Sequence, residues 1–251
     1  MLKRSAIALV LTLCTAGHAL ANADISFIRG IPQNAFKSFT REAGSALSYK
    51  NTAPAAPLGI TGFDIAAEVT AVDIRKDTDY WQAATGDKAP SLFLIPKLRA
   101  RKGLLFGIDV GAMYSRVPDS NIQLFGAEVS KAILEGSAAT PALGVRATYT
   151  RLTNVDDFDL QTVGIDASIS KGFLIVTPYF GAGAVWIDGK AKGNLKSRSL
   201  TQLGVDLKEE KFWQERFFGG VKVTPLPLFS ITGEVEYSGR PTYSIKAAFG
   251  F

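Results

Sequence analysis

The chain has 251 residues, a formal net charge of +5, hydrophobic residues at 47% of its positions, and a single His and a single Cys. A basic excess this small and diffuse does not predict nucleic-acid binding. His18 and Cys14 both precede residue 24. The rest of the chain therefore excludes His-dependent catalysis and makes a zinc or copper site improbable, so we expect no metal, no cofactor and no enzymatic activity.

Residues 1–23 have the three parts of a secretory signal peptide. Lys3 and Arg4 form a basic start, residues 6–13 form an apolar core, and Ala21 and Ala23 give the small-x-small pattern of a cleavage site. The apolar core is too short to anchor the protein in a bilayer. We expect export and a mature chain that begins at Asp24.

Residues 24–57 do not alternate in polarity. Within residues 34–49, Phe36, Phe39 and Leu47 belong to a set of apolar residues at helical spacing, which predicts a short amphipathic helix with Asn34 as its N-cap and an end or interruption near Gly44. A Pro-rich connector follows, up to residue 57. The helix has two interpretations, either at the periplasmic rim of the domain that follows or inside that domain as a plug.

Residues 58–251 are a series of short segments in which apolar and polar residues alternate, typical of strands that lie between an apolar and a wet phase. We count ten antiparallel strands, with eight or twelve as alternatives because the boundaries are soft. The predicted strands are residues 63–71, 92–100, 104–116, 122–134, 143–150, 162–169, 174–187, 212–224, 229–237 and 241–251.

The connections between these strands differ in length. The two long ones, residues 75–91 and 188–209, fall on one side, whereas the other side has brief turns, the first predicted at residues 101–103. In bacterial barrels the long loops face outward and the short turns face the periplasm. The pattern therefore predicts a chain that starts in the periplasm and returns both termini there.

The last strand carries the most specific signal. Tyr243, Phe249 and Phe251 share its apolar face, and the chain stops on Phe251. This strand resembles the closing strand of Gram-negative outer-membrane β-barrels, and the resemblance implies that the barrel-assembly machinery reads it. Residues 58–65 (LGITGFDI) resemble the first strand of an uncharacterised family of such barrels, which implies a fold but no activity.

Strands in hydrocarbon must pair on both edges, so the sheet is expected to close into a single, monomeric transmembrane β-barrel. Aromatic residues near the strand ends are expected to form the interfacial girdles. The girdle residues predicted here are Tyr114, Tyr149, Phe158, Tyr179, Trp186, Trp213, Tyr237 and Tyr243.

Charged residues occupy the opposite, inward face of the predicted strands. The acids are Asp64, Glu68, Asp109, Glu128, Asp166, Glu234 and Glu236, and the bases are Lys97, Arg99, Arg146, Arg216, Lys222 and Lys246. Because unpaired charges are costly in a confined interior, this balance favours a lumen filled by ion pairs. A narrow pore that the N-terminal segment gates is the alternative, with an outer-membrane hydrolase or an adhesin less favoured.

The second long loop is basic. It contains Lys190, Lys192, Lys196 and Arg198, which are side chains that could bind lipopolysaccharide phosphates. A solvated loop is the simpler interpretation. The partners expected are therefore outer-membrane lipid and lipopolysaccharide, and no nucleic acid.

Overall fold

The computed structural model describes residues 24–86, 92–117 and 120–251. The predicted signal peptide and parts of two predicted loops lie outside these residues. In the described chain, ten antiparallel strands close into one barrel. They are β1 (Phe63–Asp73), β2 (Leu92–Gly103), β3 (Ile108–Arg116), β4 (Gln123–Leu134), β5 (Ala142–Thr153), β6 (Phe158–Ser170), β7 (Val176–Ala191), β8 (Glu210–Leu226), β9 (Phe229–Tyr237) and β10 (Pro241–Gly250). The predicted fold class is confirmed.

The first and last strands close the ring. β1 pairs with β10 from Asp64 opposite Gly250 to Val72 opposite Thr242, and every other pairing joins strands that follow each other in the sequence. Closure gives each strand two hydrogen-bonded neighbours, so no edge is left open. No helix in the part of the chain that the structure describes has the length and hydrophobicity to span a bilayer.

Alternation sends polar residues inward and apolar residues outward. On β5, Arg146, Thr148 and Thr150 are buried while Val145 and Tyr149 are exposed. Because successive side chains of a strand point to opposite faces, the inside of this barrel is polar and its outside is apolar. This is the arrangement of a barrel that lipid surrounds.

The apolar outer band has the height of a membrane core. From Trp186 on β7 to the exposed Ile175 in the turn before that strand, it spans about 28 Å at a rise of about 3.3 Å per residue and a tilt of about 40°. Exposed apolar residues also occupy the short turns, among them Phe106, Leu174 and Leu228. The band therefore reaches the turn end of the barrel.

The N-terminal helix α1 (Gln33–Leu47) lies in the mouth of the barrel at the long-loop end. Its buried Phe36 meets the ring of Phe158 on β6 at a centroid distance of 6.0 Å, and a Cβ on Gly44 would come within 2.4 Å of Ile187 on β7. The helix begins after Pro32 and continues through Gly44, so the expected cap at Asn34 and the expected break are both wrong. It lies inside the wall and far from the short-turn rim.

The predicted loops and turns contain more regular structure than expected. Helix α2 (Asp79–Thr85) lies in the first long loop, and helix α3 (Gly193–Leu203) lies in the second. Residues 101–103, predicted as a turn, belong to β2, and the chain instead reverses at residues 104–107, where Phe106 and Gly107 have φ of 64° and 66°. The loop predicted from residue 188 begins only after Ala191.

The described chain starts at the long-loop end. The amide of Ile25 donates to Asn121, that of Phe27 donates to Asp157, and that of Ile31 donates to Ser199 of α3. From there the chain forms α1, crosses the lumen and enters β1 at the turn end. The expectation that both ends lie on the short-turn side is therefore wrong for the start of the described chain.

We expect Phe39→Ala to loosen α1 without opening the wall. Phe39 is fully buried and its ring contacts Phe27, Tyr80, Trp81 and Phe158. Its truncation should cost about 3–5 kcal/mol locally. Hydrogen exchange followed by mass spectrometry should show faster exchange in residues 33–47 and unchanged protection in the strands. Phe106→Ala, at an exposed turn, is the control, and equal exchange in both variants would contradict the packing described.

Candidate functional site

Buried ion pairs fill the middle of the barrel. Glu68 on β1 contacts Lys97 at 3.0 Å and Arg99 at 2.7 Å, both on β2. On the opposite wall, Asp166 on β6 accepts a hydrogen bond from Arg146 on β5 at 3.0 Å and contacts Arg216 on β8. All six side chains are at most 6% exposed. Charges from five strands thus compensate one another away from water.

Glu128 on β4 joins the two halves of this cluster. Its carboxylate lies 3.4 Å from Arg99, 2.8 Å from Arg101 and 3.3 Å from Arg146, so one acid receives three guanidinium groups. Arg101 also contacts Asp109 on β3 at 3.0 Å. The ion pairs therefore form a continuous chain of contacts from Glu68 on one wall to Asp166 on the opposite wall.

Residues 48–62, here called the lumen segment, run through the centre of this cluster. The main-chain carbonyl of Tyr49 accepts from Arg216 at 2.7 Å, and that of Asn51 accepts from Arg146 at 3.0 Å. Lys50 forms an ion pair with Glu236 on β9 at 2.6 Å. Charged side chains of the wall thus bind two main-chain carbonyl oxygens and one ammonium group of this segment.

Thr52 contacts two of the wall acids. Its amide donates to Glu234 at 2.8 Å, its hydroxyl donates to Glu68 at 2.7 Å, and Arg99 donates to the same hydroxyl. The residue has φ of 40°, in the left-handed region. This backbone conformation turns the amide toward Glu234, which Tyr179 also contacts at 2.8 Å.

The rest of the lumen segment follows the wall down to the turn end. The amide of Ala55 donates to Ser170 at 3.1 Å and that of Leu58 to Asp109 at 3.1 Å. Near Gly59 the segment lies so close to the wall that a Cβ on Gly103 would stand 1.9 Å from the Gly59 carbonyl oxygen. The segment thus fits the lumen along its whole length.

A second set of contacts holds α1 in the mouth. Glu42 accepts from the amide of Arg75 at 2.9 Å and from the hydroxyl of Tyr80 at 2.8 Å, and lies 3.7 Å from Arg240. Burial and the hydrogen bond to Glu42 raise the pKa of the Tyr80 hydroxyl above its ordinary value. Nothing in the sequence pattern singled out Glu42, because it lies on α1, outside the alternating strands from which the lumen charges were predicted.

The structure places all the predicted lumen charges on the inward face. Among the described residues, Lys222 and Glu234 make no ion pair, and the others all do. Lys246, for example, contacts Asp64 at 3.2 Å. Arg101 and Lys50 were missed. Arg101 lies two residues after Arg99 and therefore points to the same face of the strand, which was a usable signal. It was missed because it was assigned to a turn.

Two of the residues predicted for the aromatic girdles face inward. Phe158 is 1% exposed and packs against Phe36 and Phe39, and Tyr179 is 3% exposed and bonds to Glu234. Their assignment to the girdles is wrong because strand-end position does not determine the face. Of the remaining six girdle residues, Trp186 is half-buried and the other five are exposed, including Trp213 at 58% and Tyr237 at 57%.

The closing strand presents its aromatic residues to the outside. Tyr243, Phe249 and Phe251 are 51%, 53% and 57% exposed. The ring of Phe251 packs edge-on against that of Phe63 on β1 at 5.1 Å. The three residues therefore lie on the lipid-facing side of the seam between β1 and β10.

The described residues contain no group of three or more His, Cys, Asp or Glu side chains arranged to hold a metal ion. The acids of the lumen are instead surrounded by Arg and Lys. What this arrangement can do chemically is to bind the lumen segment by charge-assisted hydrogen bonds.

Comparison with known proteins gives distant likenesses. No protein-family model and no curated protein matches the sequence. Among solved structures, OprG from Pseudomonas aeruginosa has 13% identity and a TM-score of 0.39, with 79% of this chain and 99% of that chain covered. The N-terminal β-barrel domain of Pseudomonas aeruginosa OprF has 13% identity and a TM-score of 0.37, with 77% and 99% covered. The KdgM porin has 10% identity and a TM-score of 0.36, with 75% and 99% covered. The barrel assignment rests on the register of this chain's own strands.

We expect Glu68→Gln to destabilise the folded barrel by about 3–5 kcal/mol, because it leaves Lys97 and Arg99 buried without their full counter-charge. The measurement is the free energy of unfolding by urea in lipid vesicles, followed by Trp fluorescence. Glu135→Gln, which removes an exposed acid in the β4–β5 turn, is the matched control and should change little. Equal stability of the two variants would show that the Glu68 cluster contributes nothing to holding the barrel together.

Proposed function

We propose that this protein is an outer-membrane barrel that its own N-terminal segment holds closed, and that it serves as a structural element of that membrane. The observation that carries the proposal is the coordination of Tyr49, Lys50, Asn51 and Thr52 by charges from the surrounding strands. A segment held by that many buried, charge-assisted contacts is part of the core. A gate that opens readily would leave those charges without partners.

The outside of the barrel supports residence in a membrane. The apolar band is about 28 Å high at β7, close to the height of about 25 Å that such a band has in outer-membrane barrels. Its surface is covered with exposed Leu, Ile, Val and Phe side chains, such as Ile165, Phe180 and Ile245. The predicted signal peptide is consistent with export to this location.

The length of the connections supports an orientation with α2 and α3 outside the cell. The two long connections, which contain these helices, lie at one end of the barrel, and the short turns lie at the other. The start of the described chain, at Asp24, is bonded to Asn121 at the same end as the long loops. The proposed orientation therefore displays the beginning of the mature chain on the cell surface.

Planar-bilayer recording tests closure. We expect the wild-type protein to give no steady single channels, and a variant that lacks residues 24–57 to conduct, provided that circular dichroism shows an intact barrel. Steady conductance in the wild-type protein would overturn the proposal in favour of a gated pore. A folded deletion variant that stays silent would show that the N-terminal segment is not what closes the barrel.

A pair of point variants at Thr52 sharpens this test. Thr52→Pro removes the amide that binds Glu234 and is incompatible with the observed φ of 40°. Thr52→Gly keeps that amide and adopts that φ without strain. Both variants lose the hydroxyl, so the Pro variant should show intermittent conductance and the Gly variant should remain closed.

Cysteine labelling in whole cells tests the orientation. The only native cysteine is Cys14, in the predicted signal peptide, so an introduced thiol is unique in the mature chain. We expect Ser26→Cys, at an exposed position of the long-loop end, to react with a membrane-impermeant maleimide on intact cells. Ala139→Cys, in the exposed β4–β5 turn, should react only after permeabilisation. The reverse pattern would overturn the proposed orientation.

A further inference from the structure

A polar hollow lies on the outer surface of the barrel wall, at its long-loop end. Its volume is about 150 Å³, and its lining includes Arg151 on β5, Asp159 and Gln161 on β6, and Asp188 and Lys190 on β7. At about 30 Å³ per water molecule, the hollow has room for a phosphate group together with some of its hydration. It is separate from the lumen, because these five residues occupy the alternate strand positions whose side chains point outward.

The hollow borders the part of the wall that faces lipid. Arg151 is the register partner of Gln161, which pairs with Asp188, which in turn pairs with Lys211 on β8. Two residues nearer the turn end on these same strands, the outward positions are Tyr149, Val163, Trp186 and Trp213. Aromatic residues of this kind mark the boundary between acyl chains and head groups. The hollow therefore opens where lipid head groups begin.

The acids of the hollow already have partners. Asp159 forms an ion pair with Lys192 at 2.8 Å, and Glu209 forms one with Lys211 at 3.0 Å. Asp188 accepts a hydrogen bond from Gln161 at 2.9 Å and lies 3.8 Å from Lys211. These contacts compensate the negative charge of the lining.

Two cations of the hollow have no such partner. In the described part of the chain, neither Arg151 nor Lys190 makes a hydrogen bond or an ion pair. One strand, β6, separates them, and Lys190 lies two residues nearer the long-loop end than Arg151, so their backbones are about 12 Å apart. Both side chains are long enough to converge over β6 on one anion. The hydrogen bond with Lys211 and, more weakly, the charge of the nearby Lys190 lower the pKa of the Glu209 carboxyl. The lining thus offers two cations without a hydrogen bond or an ion pair at the edge of the lipid-facing surface.

The other basic residues of the second long loop are already engaged. Lys192 pairs with Asp159, Lys196 lies 3.6 Å from Asp206, and Arg198 donates to the carbonyl of Ile28 at 2.9 Å. Of the four basic residues that the sequence offered for lipid phosphates, only Lys190 makes no hydrogen bond and no ion pair. The anion site is therefore in the hollow at the wall and not along the loop.

We propose that Arg151 and Lys190 bind the phosphate group of a phosphorylated lipid in the leaflet on the long-loop side of the membrane. Arg151 supplies a planar donor that matches two phosphate oxygens, and Lys190 supplies a point charge. The acyl chains of the same lipid would lie against Tyr149 and Trp186 below. This inference rests on the proposed membrane location, and it names the class of lipid that the outer surface of the barrel binds.

The test uses the full-length protein in phosphatidylcholine nanodiscs, titrated with diphosphoryl lipid A and observed by native mass spectrometry. We expect the double variant Arg151→Gln, Lys190→Gln to bind this lipid at least about tenfold more weakly than the wild-type protein. The matched control is Lys196→Gln, Lys208→Gln, which removes the same charge from two lysines that are 52% and 77% exposed in the loop. That control should bind like the wild-type protein.

Three outcomes would overturn the inference. Equal affinity of the double variant and the wild-type protein would remove Arg151 and Lys190 from recognition. Equal binding of lipid A from which the phosphates have been removed would show that phosphate is not recognised. Displacement of lipid A by millimolar inorganic phosphate would assign the site to free phosphate. Channel recordings of the double variant should match those of the wild-type protein, because both residues lie outside the lumen. Failure of the lipid-binding inference can therefore be told apart from failure of the proposed closure.

Discussion

The structure depends on the compensation of charges inside a closed wall. Glu128 with its three guanidinium neighbours and Asp166 with its two cannot be moved apart without leaving charges buried in a medium of low dielectric. The wall alone does not complete this compensation. Glu236 obtains its short ion pair from Lys50, and the guanidinium groups of Arg216 and Arg146 use the carbonyls of Tyr49 and Asn51.

The polar interior and the apolar exterior follow from one constraint. A backbone within hydrocarbon must satisfy its own hydrogen bonds, which requires the strands to close, and closure divides every strand into an inner and an outer face. The ten strands enclose a space too narrow to hold a wide aqueous channel, and side chains can largely fill it. Here the filling is ionic at the centre and apolar in the mouth, where Phe36 and Phe39 meet Phe158.

The sequence predicted the strands well because a period of two is a local signal. The sequence failed to predict which face an aromatic residue occupies when only its position near a strand end was used. Phe158 and Tyr179 were placed in the outer girdles in this way, but both face the interior, which is partly apolar. Arg101 was left out of the predicted lumen charges because the sequence Arg-Lys-Gly resembles a turn, although its spacing of two residues from Arg99 places both on the same face of the strand. Lys50 carried no signal at all, since the lumen segment is irregular, and only the closed barrel brings it to Glu236.

The contacts that close the barrel and those that seat the lumen segment both join residues that are far apart in sequence. Lys50 and Glu236 are 186 residues apart in sequence, Lys246 and Asp64 are 182 apart, and the second pair spans the seam between β1 and β10. Such pairs form only when the last two strands are in place, after a large loss of chain entropy. The lumen segment runs from one end of the lumen to the other, and its amides donate to Glu234, Ser170 and Asp109 on three different strands. The basic and carbonyl groups of this segment are therefore as much a component of the core as any strand.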